Sequence, residues 1–153
     1  MRWNKKFVYP KSIRSTDNGI RRYLIGEKKL PSVTSILDAT KSDEDKAALS
    51  NWIDRTGLKQ SKAIVNAASN RGSKMHAYLE SFLLGQQNLS FFDDDEQYKI
   101  MAKQIIKKGL INRFEEVWGV ECTLYKPDSY SGTCDAVGVY DGRECIIDFK
   151  QSN

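Results

Sequence analysis

No stretch of the 153 residues approaches the roughly 18 consecutive apolar positions of a membrane span, and the opening Met-Arg-Trp-Asn-Lys-Lys-Phe-Val-Tyr-Pro lacks the apolar core of a secretory signal. The chain is therefore expected to stay where it is made, in the cytoplasm, with no membrane partner. Cysteine is scarce. Cys122, Cys134 and Cys145 are the only three and none sits in a CxxC pair, so an odd count without a secretion signal reads as reduced thiols, not as a disulfide framework. Histidine is scarcer still, with His76 alone. Net positive charge is missing from most of the chain: nine of the 24 Lys and Arg fall in the first 29 residues, against only Asp17 and Glu27 there, and the rest carries fifteen basic against eighteen acidic residues. So local a basic patch suits phosphate binding, although a solvated basic terminus accounts for it equally well. Composition, at 40% hydrophobic and 29% charged residues, is that of one globular domain.

What is present is concentrated in residues 131 to 150. Asp141-Gly142 lies between two alternating runs rich in β-branched residues, a strong signal for a two-residue type I′ hairpin. With those two residues as the loop, Tyr140 faces Arg143, Val137 faces Ile146, and Asp135 faces Asp148. Side chains directly opposed on a ladder have Cβ atoms roughly 4.5–5.5 Å apart, where like charges repel. A cation between Asp135 and Asp148 relieves that repulsion. Lys150 shares their face, and Val137, Val139 and Ile146 are expected to continue it as core, with both faces of the hairpin covered. Two carboxylates and a lysine so placed suit Mg²⁺ or Mn²⁺ and phosphodiester hydrolysis. The alternative is an exposed hairpin end whose three charges offset one another.

Upstream, residues 5 to 13 read as extended and residues 14 to 25 as a hairpin around Asn18-Gly19. Arg14, Arg21 and Arg22, with Trp3, Phe7, Tyr9 and Tyr23, combine cations with aromatic planes as single-stranded nucleic acid requires; the same aromatics could equally pack a small sheet. Ser32 is a plausible N-cap for a short helix bearing Val33, Ile36 and Leu37, and Ser42 for a second with Asp43, Glu44 and Asp45 in its first turn. Leu49, Trp52 and Ile53 form its apolar stripe, and Gly57 stops it. Helices follow over about 59–69 and 73–84, separated at Asn70-Arg71-Gly72. Residues 91 to 118 read as one long helix or two with a break near Gly109, their start favoured by Asp93, Asp94, Asp95 and Glu96 as a solvated cap. Val120 to Tyr125 is the first sheet strand, and a connection through residues 126 to 130 brings Glu121 opposite Asp135.

Gly132-x-x-Asp135, followed by Asp148-Phe149-Lys150, resembles the D…(D/E)xK core of the PD-(D/E)xK nuclease superfamily. Arg71-Gly72-Ser73-x-x-His76-x-x-Leu79-Glu80 resembles the RG(T/S)xxHxxLE helix of its RecB-like and Cas4-like branch. Pro31-Ser32-Val33-Thr34-x-Ile36-Leu37 is similar to a segment of the mitochondrial genome maintenance exonucleases and their phage relatives. The resemblance implies an α+β fold: a basic N-terminal β-hairpin region over residues 1–29, a helical part over 30–118, and an antiparallel three-stranded catalytic sheet over 119–153. It also implies a Mg²⁺-dependent DNA exonuclease, with Mn²⁺ as substitute, in a bacterial or phage-infected cell. His76, Asp135, Asp148 and the Phe149 carbonyl would bind the metal, and Asp135, Asp148 and Lys150 would be catalytic. Glu121 is a secondary candidate, and Glu80 a support for the imidazole or for Lys74. Relatives with an iron–sulfur cluster use four cysteines, so none is expected here. The branch continues with a helix bearing Gln-x-x-x-Tyr and a fourth core strand that do not follow Lys150, so a companion polypeptide or self-association is expected. A catalytically silent subunit that binds single-stranded nucleic acid is the competing reading.

Overall fold

The computed structural model describes residues 1–86 and 96–151, in an α+β arrangement. The expected acidic cap at Asp93, Asp94 and Asp95 lies outside the described residues. Among those described, no helix is long and apolar enough to cross a membrane. The chain divides into two compact units. One comprises Pro10–Ala68 with Thr123–Gly132; the other comprises Met1–Tyr9, Ser69–Cys122 and Thr133–Asn153.

The first unit holds a three-stranded antiparallel sheet and the helical residues before Ser69. β2 (Ile13–Asp17) and β3 (Ile20–Ile25) pair through Asn18-Gly19, whose φ angles of 51° and 78° are those a type I′ turn demands. The expected hairpin gains a third strand, β4 (Lys28–Pro31), which sets buried Leu30 opposite buried Tyr23. Lys-Lys-Leu-Pro has no apolar alternation, so nothing in its own pattern marked it as a strand. α1 (Val33–Ala39) starts where Ser32 Oγ accepts the Ser35 amide at 3.0 Å. α2 (Asp43–Thr56) starts where Ser42 Oγ accepts that of Asp45 at 3.1 Å, and ends at Gly57 with φ 83°. Both caps stand where the sequence put them. The apolar stripe of α2 does not: the helix buries no residue, and Leu49 is half exposed.

The second unit carries the larger sheet. α3 (Leu58–Leu83) enters it at Ser69 and runs without interruption through Asn70-Arg71-Gly72, where two helices were expected. Glycine inside a helix costs only about 1 kcal/mol, and tertiary contacts outweigh that here. Met75, Leu79 and Leu83, spaced by four, form one buried stripe, while Ala102, Ile106 and Leu110 form a second with the same spacing. The second stripe spans α4 (Gln97–Ile105) and a π-helical turn over Ile106–Leu110. Asn112 at φ 63° then ends the helical run, and β5 (Phe114–Lys126) begins, so residues 114–118 are strand and not helix. Leu110, Phe114 and Val117 fit a helical period by chance of spacing; in the fold Phe114 and Val117 point into the core from a strand.

The sheet has four strands, in the order β1 (Arg2–Trp3), β5, β6 (Tyr130–Tyr140) and β7 (Arg143–Ile147). β6 and β7 pair in the expected register, Tyr140 with Arg143 and Val137 with Ile146, around Asp141 and Gly142 at φ 46° and 74°. A fourth strand replaces the expected three: β1 pairs in parallel with β5, Arg2 opposite Glu116 and Trp3 opposite Val117. Two residues are too few to show a period. Val137 is buried on the face expected as core, but the main core gathers the opposite face of the hairpin. Ala136, Ile147 and Phe149 join the core, whereas Ile146 is 63% exposed. Gly138 makes that packing possible, because a Cβ there would collide with the Glu116 carbonyl and the buried Phe114 ring.

Candidate metal centre

His76, Glu121 and Asp135 each offer a ligand atom such that all three lie within 4.8 Å of one another. They come from α3, β5 and β6, all within the second unit. Residues 72, 76 and 80 share one face of α3, since positions four apart are neighbours on a helix. Along that face Gly72 lies beneath the side chain of Gln151, His76 meets Asp135, and the Glu80 charge acts on Glu121. The helix thus addresses in turn the tail after β7, then β6, then β5.

His76 Nδ1 stands 3.0 Å from Asp135 Oδ1, a hydrogen bond in the tautomer that carries its proton on Nδ1. The other carboxylate oxygen of Asp135 accepts the backbone N–H of Phe149. Asp135 is therefore oriented from two sides, with its side chain only 12% exposed. The Phe149 ring is buried and meets the His76 ring edge to face, with centroids 6.3 Å apart.

Glu121 reaches the group by an unusual route. Its φ of 51° places a non-glycine residue in the left-handed region inside a strand, a conformation worth about 1–3 kcal/mol of strain that persists only where surroundings enforce it. The side-chain alternation of β5 is interrupted there, with Cys122 and Thr123 buried in succession. Partial burial of the Glu121 carboxyl raises its pKa. The charges of Asp135 and Glu80 add to that rise, and His76 opposes them. Such a crowd of carboxylates favours a cation among them.

Asp148 and Lys150 are not among these three converging ligands. The ladder ends at Ala136 and Ile147, so Asp135 and Asp148 do not pair across it. Asp148 instead forms an ion pair with Lys150, Oδ2 to Nζ 2.5 Å, the lysine side chain 78% exposed and the aspartate 49%. Lys74, the expected partner of Glu80, lies 5.3 Å from the centre of the Tyr98 ring. Gln151, absent from the sequence reading, accepts on its Oε1 the Nε of Arg71, the first residue of the helix motif, at 2.9 Å. Cys122 and Cys134 are buried reduced thiols, and burial pushes the pKa of Cys134 up to about 11.

No family model matches the chain. Over 128 residues it is 29% identical to mitochondrial genome maintenance exonuclease 1 of Mus musculus, and over 135 residues 27% identical to mitochondrial genome maintenance exonuclease 1 of Homo sapiens. Each similarity takes in 80% of this chain but 37% of the relative, so the chain spans little more than a third of the length of these curated proteins.

Proposed function

We propose that this chain, similar over most of its length to two exonucleases, is a divalent-metal-dependent DNA nuclease of the PD-(D/E)xK type that acts on single strands or exposed ends. The observation that carries the reading is the convergence of one imidazole and two carboxylates from three separate elements within 4.8 Å. The donor set fits Mg²⁺ or Mn²⁺: hard carboxylate oxygens dominate, and the nearest thiols stay protonated at neutral pH. A bound ion would polarise the scissile phosphodiester and lower the pKa of an attacking water.

His76, Glu121 and Asp135 would hold that ion, with Asp148 and the Phe149 carbonyl as further oxygen donors. The Phe149 amide and His76 keep Asp135 from rotating away. Lys150, largely exposed and paired only at a short surface contact, would exchange Asp148 for a substrate phosphate and orient the water. Of the basic N-terminal residues, Arg2, Lys6, Lys28 and Lys29 are engaged with carboxylates. Lys5, Lys11, Arg14 and Arg21 are the better phosphate contacts.

The test is degradation of end-labelled linear single-stranded DNA in Mn²⁺, with circular DNA alongside. Cleavage of linear DNA alone, lost in Asp135→Asn and Lys150→Ala, is expected. Folded protein that binds DNA equally with and without chelator and never cuts it would overturn the reading in favour of a silent binding subunit.

A further inference from the structure

The residues proposed to act on the phosphate, Asp148 and Lys150, follow the last ladder pair at Ile147 and lie outside any strand. Two anchors hold this tail. The first is Phe149, through its amide on Asp135 and its buried ring. The second is Gln151. Its Oε1 accepts Arg71 Nε at 2.9 Å, and its side chain lies over Gly72, where a Cβ would stand 3.1 Å from Nε2 and 3.6 Å from Cδ. Arg71 is itself held by a second amide, since Nη1 donates to Gln97 Oε1 at 3.2 Å at the start of α4. In an extended chain alternate residues point to opposite sides. Anchoring 149 and 151 on one side therefore commits 148 and 150 to the other, where their ion pair is found.

We propose that Arg71 and Gln151 are positioning residues: together they latch the tail onto α3 across Gly72 and so fix where Asp148 and Lys150 stand on either side of Phe149, whose amide holds Asp135. The latch rests on the nuclease reading only for its kinetic consequence. Its structural consequence is independent. Gly72 has a defined part in it, because a methyl group there would press on the Gln151 amide more tightly than ordinary van der Waals contact.

Gly72→Ala separates a latch from a residue that merely supports the fold. Alanine improves helix propensity, yet its methyl group meets the Gln151 amide. The 153-residue parent and the variants Arg71→Ala, Gln151→Ala, Gly72→Ala and Arg71→Ala/Gln151→Ala would be compared by thermal unfolding, by hydrogen exchange of the peptide covering the tail, and by Mn²⁺-dependent cleavage. Tail exchange is expected to rise about tenfold in every variant, with Gly72→Ala no less heat-stable than the parent. The kcat for cleavage should fall about tenfold to a hundredfold while KM for DNA stays within about twofold. The double variant should lose no more than either single one, as members of one contact do. Unchanged tail exchange in Arg71→Ala, or full activity in Gly72→Ala with activity elsewhere tracking stability, would overturn the latch. A parent that never cuts DNA but shows the exchange pattern would sink the nuclease reading and leave the latch standing; a parent that cuts, with variants equal to it in exchange and kcat, does the reverse.

Discussion

Glu116 depends on its neighbours more visibly than any other described carboxylate. The Trp118 indole N–H donates to Oε2 at 2.6 Å, Arg2 pairs with Oε1, and the Asn4 amide donates at 3.0 Å. These bonds hold its pKa down from 4.5 to about 2. A carboxyl whose pKa is depressed on folding lends stability that is complete above its unfolded value and is lost as pH falls through the folded one. Glu116→Gln is therefore expected to flatten the slope of Tm against pH between about 4.5 and 2 and to leave the slope above that window unchanged, as circular dichroism melts would show. Glu121 presents the opposite case, a residue whose backbone and charge both cost the metal-free protein stability. Glu121→Gly should raise the metal-free Tm, by about 1 kcal/mol of stability, while shrinking the Tm increase that Mn²⁺ produces. A variant that loses stability in the absence of metal would show that the φ of 51° is not strained in this setting. At this scale the sequence was partly readable. His76 and Asp135 were paired through a resemblance, because a helix face alone does not reveal which strand it will meet. The contact between Arg71 and Gln151 left no trace, since a guanidinium and an amide 80 residues apart form no local pattern.

Elements whose rules are local were legible in outline and often in register. Asp-Gly and Asn-Gly turns specify both hairpins because positive φ at two successive residues leaves few alternatives, and Ser32 and Ser42 mark helix starts by a bond each makes within three residues. Elements that depend on distant packing were not legible. The parallel strand β1 exists because Trp3 pairs opposite Val117 and its indole N–H finds the Leu83 carbonyl at 2.9 Å, neither of which its two residues announce. The same contrast predicts two glycine substitutions. Gly142→Ala, in an open turn at φ 74° with no neighbour near its missing Cβ, should cost about 1 kcal/mol of conformational strain. Gly138→Ala must displace the Glu116 backbone or the Phe114 ring and should cost about 3 kcal/mol or more. Chemical denaturation of the two variants checks the order, and equal losses would contradict the close approach of β5 and β6.

For the molecule as a whole, charge and metal give separable signatures. Ligand binding to the folded state alone raises stability as concentration exceeds Kd, by about 2.7 kcal/mol at a hundredfold excess. Mn²⁺ should therefore raise the Tm of the parent, chelator should reverse the rise, and Asp135→Asn should abolish it. Binding of single-stranded DNA should weaken with salt, and removing Arg14 and Arg21 together should lower the log–log slope by about 1.4, at roughly 0.7 per phosphate contact. A slope that does not change would locate the phosphate contacts elsewhere. The contact between His76 and Asp135 also has a place in time. It joins residues 59 apart, whereas each Gly-containing hairpin closes over a two-residue loop. Loop closure delays distant pairings relative to near ones, so the hairpins and helices are expected to form first and the three-element site to be assembled late, which unfolding and refolding rates with and without Mn²⁺ would check. Contacts made that late leave the folding rate almost untouched and act on the unfolding rate. A cation gathered by His76, Glu121 and Asp135, as proposed, would thus act as a brake on the way out of the native state, and the protein's lifetime, more than its speed of folding, would rise and fall with the metal around it.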